Sequence, residues 1–306
     1  MKISVIIPFF NEAHTLKKTL VSLVRQTLKP NEIILVDSGS TDDSVFIINE
    51  FVKDNRIDYI HIIHSGRMTP SSSINLGIKK AEGELIAYVD CDLDIPKTWL
   101  ESNLDQMIKS NSDLISPRVY TSGTKIIDKS FIAHTYGYKS YTPCLTGSLI
   151  KRVVIEKVDF FLSDARANYD VDFINKIREF GFQRVINKKI ILRYFGTEYC
   201  DSFLSGMYKI AFYSQNAWRV RGDKKPYLYL GFAFFLLLSF YIGISSVIAA
   251  IYLITRGFLI PFYKSSFDIS RDIWLILLLP FTGLLIDISR ISGYLFLHKI
   301  LIQGET

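Results

Sequence analysis

The chain has 306 residues, of which 49% are hydrophobic and 22% are charged, and its formal net charge is +6. This apolar content excludes an intrinsically disordered protein, which buries too little surface to fold. Three cysteines are too few, and odd in number, for a secreted module held together by disulfides. At about 100–200 residues per domain, the length predicts one large or two medium domains.

Residues 1–225 alternate short apolar runs with segments of helical periodicity. We interpret the apolar runs as strands, at 3–8, 32–37, 59–63 and 84–90, with weaker ones near 114–120 and 185–194. Near-continuous apolar strands are typical of parallel sheets that are buried on both faces. Helical spacing lies between them, and Pro96 is suited to open a helix over 96–107. This alternation predicts an α/β fold made of βαβ units.

The C-terminal part of the chain is more apolar. An amphipathic helix is predicted over about 198–222, and it leads to 28 consecutive uncharged residues at 227–254. About 20 apolar residues cross a bilayer core, so this run predicts a transmembrane helix. A second span is predicted over 273–297, although Pro280 leaves an interfacial or re-entrant helix open as the alternative.

Basic residues cluster directly before the first predicted span: Arg219, Arg221, Lys224 and Lys225. Lys and Arg beside a span normally mark the cytoplasmic side of the membrane. We therefore expect a multi-pass protein of the plasma membrane whose N-terminal domain lies on the cytoplasmic side. Because these charges border a membrane segment, they indicate a lipid bilayer as the partner and not a nucleic acid.

Polar clusters follow three of the predicted strands. They are Asn11-Glu12, the stretch 37–44, and Asp90-Cys91-Asp92. In open α/β sheets, ligands bind at the carboxyl ends of the strands. One residue separates Asp90 from Asp92, so both point to the same side of an extended chain. Their oxygens can there bind a divalent ion that also holds phosphates. Solvated turn carboxylates are the alternative for any one cluster alone.

With these motifs in view, residues 1–225 resemble the family 2 glycosyltransferases of GT-A fold. The resemblance rests on four ordered motifs: VIIPFFNE, VDSGSTDDS, INLGIKKAEGELIAYVDCD and YDVDFINKIREFG. It implies a Rossmann-like mixed sheet flanked by helices, followed here by C-terminal transmembrane helices. It also implies Mg²⁺ or Mn²⁺ bound by Asp92 and Asp90. The contacts that it implies with a nucleoside-diphosphate-sugar fall on Pro8, Phe9, Asn11, Glu12, Asp37, Gly39, Arg67, Asn75, Asp90 and Cys91.

The family usually opens the helix after the acceptor loop with a Glu-Asp pair, whose Asp removes the proton from the acceptor hydroxyl. Here Tyr169 replaces the Glu and Asp170 keeps the position of the base. Asp164 is the alternative base. A purely structural role is also open, in which Asp170 and Asp172 complement the helix dipole. The acceptor loop, 120–143, would determine acceptor specificity.

The sequence departs from the family pattern in three places. The arginine usually found before the glycine of the third helix is missing from 73–77, and Arg67 is the candidate replacement. The stretch 191–198 has no histidine, so metal coordination would rest on Asp92, phosphates and water. The Gln-x-x-Arg-Trp motif of processive synthases is replaced by QNAWR at 215–219, which disfavours polymer synthesis.

Two smaller features remain open. Thr146, Gly147 and Ser148 resemble the family's small-residue loop before the acceptor helix, although a plain turn explains them equally well. The five histidines lack Cys or Glu at metal-ligand spacing, so we interpret them as structural.

Taken together, we predict a membrane-anchored, inverting, metal-dependent glycosyltransferase that uses a nucleoside-diphosphate-sugar and a lipid-linked acceptor. The predicted domains are a catalytic domain, 1–225, and an anchor, 226–306. A nucleotidyltransferase-like enzyme is one alternative, but its glycine- and arginine-rich first loop is absent from PFFNEAHT. A catalytically inactive scaffold of the same fold is the other, and the retained Asp90, Asp92 and Asp170 count against it.

Overall fold

The computed structural model describes residues 1–194 and 199–295 and divides them into two compact units. Unit 1 contains 1–120 and 143–194, and unit 2 contains 121–142 and 199–295. The predicted boundary near 225 does not coincide with these units, because the chain passes between them three times: after 120, after 142 and between 194 and 199. The physical reason is that residues 121–142 have apolar neighbours in the C-terminal helices, far away in the sequence.

Unit 1 is built on a mixed sheet with the strand order β3-β2-β1-β4-β8-β6-β9-β5. The strands are β1 (Ile3–Phe9), β2 (Glu32–Asp37), β3 (Ile60–His64), β4 (Leu85–Tyr88), β5 (Leu93–Asp94), β6 (Leu114–Thr121), β8 (Leu149–Lys151) and β9 (Arg184–Tyr194). A further strand, β7 (Ser140–Pro143), lies at the end of the segment 121–142 and pairs with β6. β1 pairs in parallel with β2 and β4, and β2 with β3. β8 runs antiparallel to β4 and β6. The α/β fold class predicted from the sequence is confirmed.

Helices cover both faces of this sheet. They are α1 (Leu16–Val24), α2 (Ser44–Asn55), α3 (Pro70–Lys80), α4 (Trp99–Ser110), α6 (Arg152–Lys157) and α7 (Tyr169–Glu179). Successive residues of β1 belong to two different cores, with Val5 and Ile7 in one and Ile6 in the other. This double burial explains why the strand sequences are almost continuously apolar. The helix predicted from Pro96 begins only at Trp99, whose amide donates to the Pro96 carbonyl in the preceding turn.

Unit 2 is helical. It contains α5 (Ile126–Thr135), α8 (Phe203–Ser214), α9 (Lys225–Ile242), α10 (Ser245–Ile254), a π-helical turn (Thr255–Leu259), α11 (Ile260–Lys264) and α12 (Ile273–Leu295), with 3-10 turns at Gln215–Arg219 and Phe267–Arg271. The amphipathic helix predicted over 198–222 is thus α8 with a 3-10 turn, and residue 198 lies outside the described residues. The segment 121–142, predicted as a loop, carries α5.

The predicted span 227–254 is wrong as a single helix. Gly243 adopts a left-handed conformation, with φ of +80°, and ends α9 there. Within the described part of the chain, two stretches are long and apolar enough to cross a membrane: Ser245–Lys264, with 20 residues, and Ile273–Leu295, with 23. The second agrees with the prediction up to residue 295, and residues 296–297 lie outside the described part. The first is displaced because an uncharged run gives no sign of where its helix ends.

Polar contacts hold α5 against α12 inside unit 2. His134 Nε2 lies 2.8 Å from the carbonyl oxygen of Leu279 and donates to it, and Thr282 Oγ1 lies 3.0 Å from Ser130 Oγ. The other ring nitrogen of His134 accepts from Arg256 Nη1 at 2.8 Å. Burial and the neighbouring Arg256 charge lower the pKa of His134 to about 3, so the ring is neutral. Neutral histidine is the form that can donate from one nitrogen and accept at the other.

Candidate active site

The carboxyl ends of β1 and β2 are joined by hydrogen bonds into one polar rim. The Asn11 amide donates to Ser40 Oγ at 3.0 Å, and the Thr41 amide donates to Asn11 Oδ1 at 2.8 Å. Asn11 adopts a φ of +55°, a conformation that Asn tolerates better than most residues. Glu12 continues the rim, and its amide donates to Ser44 Oγ at 2.8 Å. The two motifs that the sequence separates by about thirty residues therefore form one structure.

Asp37 is the most buried carboxylate of this rim, with 5% of its surface exposed. Its Oδ1 accepts from the Ser40 amide at 2.8 Å, and its Oδ2 lies 3.1 Å from His64 Nδ1. Partial burial raises its pKa, but the hydrogen bonds from Ser40 and His64 outweigh burial and leave the pKa below its usual value. The predicted role of Asp37 is compatible with this placement. The interpretation of His64 as structural stays a prediction, and its ring contacts a candidate site residue.

Arg67 and Gly39 lie in two loops that approach each other closely. Gly39 has a φ of +81°, and a Cβ at this position would lie 3.5 Å from the Arg67 amide nitrogen. The Arg67 guanidinium lies over the ring of Phe10, 4.0 Å from its centre. A cation is therefore held at the rim between the β1 loop and the β3–α3 loop, where the sequence predicts one.

Asp90 follows β4 and is tied to two other elements. Its amide donates to Thr146 Oγ1 at 3.1 Å, and its Oδ2 accepts from the Tyr194 hydroxyl at 3.0 Å. Burial, followed by the charges of Asp90 and Asp92, holds the pKa of Tyr194 well above its usual value, so the hydroxyl keeps its proton. Neither Tyr194 nor Thr146 was assigned to the site from the sequence. The pairing of Leu93 with Tyr194 in the sheet would have indicated the tyrosine.

The Thr146-Gly147-Ser148 loop is fixed to β4 and α4. The Gly147 amide donates to the Tyr88 carbonyl at 2.7 Å, and its own carbonyl accepts from Trp99 Nε1 at 2.7 Å and from Asn103 Nδ2 at 3.1 Å. These bonds hold Thr146 where it binds the Asp90 amide. The loop is thus more than a plain turn, because it positions the backbone of the first aspartate.

Three carboxylates from different parts of the chain influence one another at this edge. The pKa of Asp90 is raised to about 6: burial raises it most, the hydrogen bonds from Tyr194 and Thr146 lower it, and the negative charges of Asp170 and Glu12 add to the increase. Asp170 stands in the first turn of α7, and Glu12 follows β1. The mutual effect shows that Asp90, Asp170 and Glu12 share one region of negative potential.

This region fits a divalent cation bound together with a diphosphate. Among residues 1–194 and 199–295, no three His, Cys, Asp or Glu side chains are grouped so that they alone could hold a metal. A hard cation that keeps waters and phosphate oxygens needs only one or two carboxylates from the protein. Asp90 and Asp92 are the predicted ligands, and the unfavourable negative charge around Asp90 is what such an ion would neutralise.

Several predicted residues are engaged in the protein framework. Phe9 is buried in the sheet core, and the Cys91 thiol donates to the Pro8 carbonyl at 3.3 Å. The Asn75 side chain bonds both the carbonyl and the amide of Phe161, at 2.9 and 3.0 Å. Their assignments to donor binding stay predictions.

The three acidic residues around the α7 start differ in their surroundings. Asp172 is buried and forms an ion pair with Lys176 at 3.3 Å. Asp164 Oδ1 accepts from Ser72 Oγ at 3.1 Å, which ties it to α3. Asp170 is exposed at the first turn of the helix. Asp164 and Asp170 are both exposed, so exposure disfavours Asp172 alone, and Asp170 as the base stays a prediction.

Comparison with known proteins identifies the class of this fold and site. The model of glycosyltransferase family 2 matches residues 4–190. The match covers more than half of the chain, which therefore belongs to glycosyltransferase family 2. The family and the mixed α/β sheet are those that the resemblance in its motifs implies.

Two curated relatives illustrate the sequence similarity. The cholesterol galactosyltransferase of Borreliella burgdorferi is 39% identical over 119 residues, which are 39% of this chain and 33% of that protein. The glycosyltransferase GlyG of Streptococcus pneumoniae is 34% identical over 119 residues, which are 39% of each protein. The chain thus matches well under half the length of either relative.

Two solved structures share the fold. A mannosyltransferase from Pyrobaculum calidifontis, in complex with GDP-Man and Mn²⁺, has a TM-score of 0.58 at 15% identity and covers 94% of this chain and 86% of its own. Residues 1–349 of TarS from S. aureus, in complex with UDP-GlcNAc, have a TM-score of 0.51 at 17% identity. The match covers 96% of this chain and 89% of the TarS chain. At these identities the likeness shows the fold alone.

Proposed function

We propose that this chain is an inverting glycosyltransferase that moves a sugar from a nucleoside-diphosphate-sugar to a lipid-linked acceptor. The donor lies along the rim formed by Asn11, Asp37 and Arg67, with its diphosphate at Asp90 and Asp92. Mg²⁺ or Mn²⁺, when bound by these two carboxylates, neutralises the charge that the departing diphosphate carries. The two structural neighbours support this class of donor, since one is in complex with UDP-GlcNAc and the other with GDP-Man and Mn²⁺.

Asp170 is the proposed general base. It accepts the proton of the acceptor hydroxyl, whose oxygen attacks the anomeric carbon from the side opposite the diphosphate and so inverts the configuration. The first turn of α7 favours the ionised carboxylate, because the amino end of a helix carries a partial positive charge. General-base assistance of this kind contributes roughly 10²–10⁴-fold to a rate.

The lipid-linked acceptor is proposed from the composition of unit 2. This unit contains both stretches long enough to cross a membrane, and many of their apolar side chains are exposed. The segment 121–142, which the family resemblance assigns to the acceptor, belongs to this apolar unit. A membrane anchor confines the enzyme to the surface where a lipid-linked acceptor is found. We also propose that unit 1 lies on the cytoplasmic side of the membrane, where donor sugars are made.

The single observation that carries the proposal is the shared negative potential of Asp90, Asp170 and Glu12 at one sheet edge. The test is a screen of nucleoside-diphosphate-sugars in membranes that contain the full chain, with nucleotide release as the readout. Asp170→Asn should lower turnover by about 10²–10⁴-fold, since the amide cannot accept the proton. Donor binding, measured by calorimetry with Mn²⁺ present, should stay within about twofold because the base contacts the acceptor.

Asp172→Asn is the matched control, two residues along the same helix. It removes the buried partner of Lys176, so we expect a lower melting temperature and an almost unchanged turnover per folded molecule. Equal turnover of Asp170→Asn and the wild type would remove the assignment of the base. A wild-type chain that binds no nucleotide at any metal concentration would support the inactive scaffold instead.

A further inference from the structure

Unit 2 contains a cavity of about 360 Å³ next to the start of α12. Cavities of about 300–1,000 Å³ are typical of sites for small ligands. The lining residues come from the loop after α5 and from the start of α12: Tyr138, Lys139, Arg271, Asp272, Ile273 and Trp274. Tyr138 belongs to a buried cluster with Ile269 and Leu275, so packing holds this part of the lining in place.

The α12 start favours an anion in this cavity. Asp272 precedes the helix and uses Oδ1 to accept from the Leu275 amide at 3.1 Å, while its carbonyl accepts from the Ile276 amide. The first two amides of the helix, those of Ile273 and Trp274, have no acceptor within the helix. Both residues line the cavity. A 23-residue helix also carries a partial positive charge at this end.

Two cationic side chains complete the lining. Arg271 directly precedes the cap, and Lys139 comes from the loop after α5, with its ammonium 5.6 Å from the centre of the Tyr138 ring. A second ammonium, that of Lys129, lies 6.0 Å from the same ring. The Asp272 carboxylate is the acidic group of the lining, and its hydrogen bond to the helix occupies one of its oxygens. Cations and helix amides together are the chemistry that binds phosphate.

The surroundings of the cavity indicate that the phosphate belongs to a lipid. α12, one of the stretches long enough to span a membrane, begins at Ile273, which lines the cavity. Trp274 is 71% exposed, and exposed tryptophans are enriched at the boundary between membrane and water. Exposed apolar side chains then continue along α12 at steps of three and four residues, which place them on one helix face: Ile273, Leu277, Phe281, Leu284 and Ile288.

We propose that this cavity binds the phosphate group of a lipid, whose apolar chain lies along the exposed face of α12. Lys139, Arg271 and the first amides of α12 bind the phosphate oxygens. The ligand is a phosphate ester with a long apolar chain, and its source is either a bilayer phospholipid or a polyprenyl phosphate. The site uses residues of unit 2 only, so it stands apart from the transfer chemistry proposed for unit 1.

The test measures lipid binding to the full chain, purified in neutral detergent, by native mass spectrometry. Polyprenyl monophosphate, phosphatidylglycerol, uncharged polyprenol and inorganic phosphate are titrated separately. The double variant Lys139→Gln/Arg271→Gln should bind phosphate lipids at least about tenfold more weakly, because each lost cation reduces attraction to the anionic headgroup. Lys139→Arg/Arg271→Lys, which keeps both charges, should recover most of the affinity.

Lys53→Gln/Lys157→Gln is the matched control, since it removes the same charge from exposed positions of unit 1. It should bind like the wild type, and melting temperatures should be equal among the variants. Preferential binding of polyprenyl phosphate identifies a carrier lipid, and equal binding of phosphatidylglycerol identifies the bilayer; both support the site. Unchanged affinity of the Gln double variant, binding of polyprenol as tight as that of its phosphate, or inorganic phosphate binding as tightly as the lipids would overturn it.

Discussion

The hydroxyl of Tyr194 donates a hydrogen bond to Oδ2 of Asp90 across 3.0 Å, although 104 residues separate them in the chain. The antiparallel pairing of β5 with β9 produces this contact, because it sets Tyr194 opposite Leu93, just beyond the aspartates. The bond fixes the orientation of one carboxylate of the candidate metal and diphosphate site. Tyr194 is therefore a positioning residue for Asp90.

Replacing Tyr194 with Phe removes this bond and keeps the ring. We expect turnover to fall by about 10–100-fold, since a hydrogen bond to a charged group is worth roughly 1.5–3 kcal/mol. We also expect a weaker apparent affinity for Mn²⁺, measured by electron paramagnetic resonance without acceptor. Tyr59→Phe, at the far edge of the sheet beside β3, is the control and should change neither quantity. Wild-type Mn²⁺ affinity and turnover in Tyr194→Phe would refute the positioning role.

Gly147 should tolerate no side chain. Its φ is +73°, and a Cβ there would lie 2.5 Å from Leu192 Cδ1 and 3.2 Å from Pro117 Cγ. Gly147→Ala combines the strain of a left-handed alanine, about 1 kcal/mol, with overpacking of about 1–3 kcal/mol. We expect the free energy of unfolding to fall by about 2–4 kcal/mol, and thermal unfolding measures this loss. Turnover should fall as well, because the loop positions Asp90.

Gly181→Ala separates these two contributions. Gly181 has nearly the same φ, +75°, but nothing lies within 4 Å of a Cβ built there. It should lose only the backbone contribution of about 1 kcal/mol and keep full turnover. If both alanine variants lower the free energy of unfolding by the same amount, the contact of the new Cβ with Leu192 contributes nothing to the loss.

The Asp37–His64 contact should make part of the stability depend on pH. Because hydrogen bonds lower the pKa of Asp37 in the folded protein, its ionised form stabilises the fold above the usual value of 3.8. This contribution is lost as the pH falls through the lowered pKa. His64→Val removes one donor to a partly exposed pair, so we expect a loss of about 0.5–1 kcal/mol at pH 7.

The measurement is the melting temperature of the full chain in detergent between pH 7 and pH 3. The difference between His64→Val and the wild type should shrink below about pH 4, where Asp37 is increasingly protonated. His61→Val is the control, because His61 is exposed on the same strand. A difference that is constant over the whole range would exclude a contribution from the ionised Asp37.

Arg256 and Asp287 form a buried ion pair in unit 2, with Nε and Oδ2 2.8 Å apart. Tyr252 also donates to Oδ2, at 3.0 Å. Asp287 also has Arg290 Nη1 at 3.6 Å from its Oδ1, so Arg256→Met leaves it one cationic partner, whereas Asp287→Leu leaves both arginines without their carboxylate. Asp287→Leu should therefore lower the melting temperature strongly, by the equivalent of about 3–5 kcal/mol, and Arg256→Met should lower it less. The double variant should lose less than the sum of the two single losses, because Arg256→Met removes one of the charges that Asp287→Leu leaves unpaired. Additive losses in the double variant would show that the two side chains do not interact.

Much of unit 1 could be predicted from the sequence because its signals are local. β1 and β2 are buried on both faces, so their sequences are almost purely apolar, and the helices between them keep a clear apolar spacing. The rim at the carboxyl ends of β1 and β2 follows from parallel pairing alone. These features depend on neighbours that are close in the sequence or implied by the fold class.

The elements that were missed depend on distant neighbours. α5 lies in a segment whose polar residues suggested a loop, yet Phe131 is covered by Ile210 and Ile286, which come much later in the chain. The break at Gly243 is hidden because a uniformly apolar run has no periodicity from which a helix end can be read. The Tyr194–Asp90 bond depends on the register of a two-residue strand, which no local pattern specifies.

The division of the chain has a practical consequence for anyone who wants the catalytic unit in soluble form. Truncation after residue 194 removes the C-terminal helices but leaves 121–142 behind, with Phe131, Ile132 and Ala133 newly open to water. Such a fragment is expected to aggregate. A soluble fragment requires a second excision, in which a short polar linker rejoins Tyr120 to Pro143.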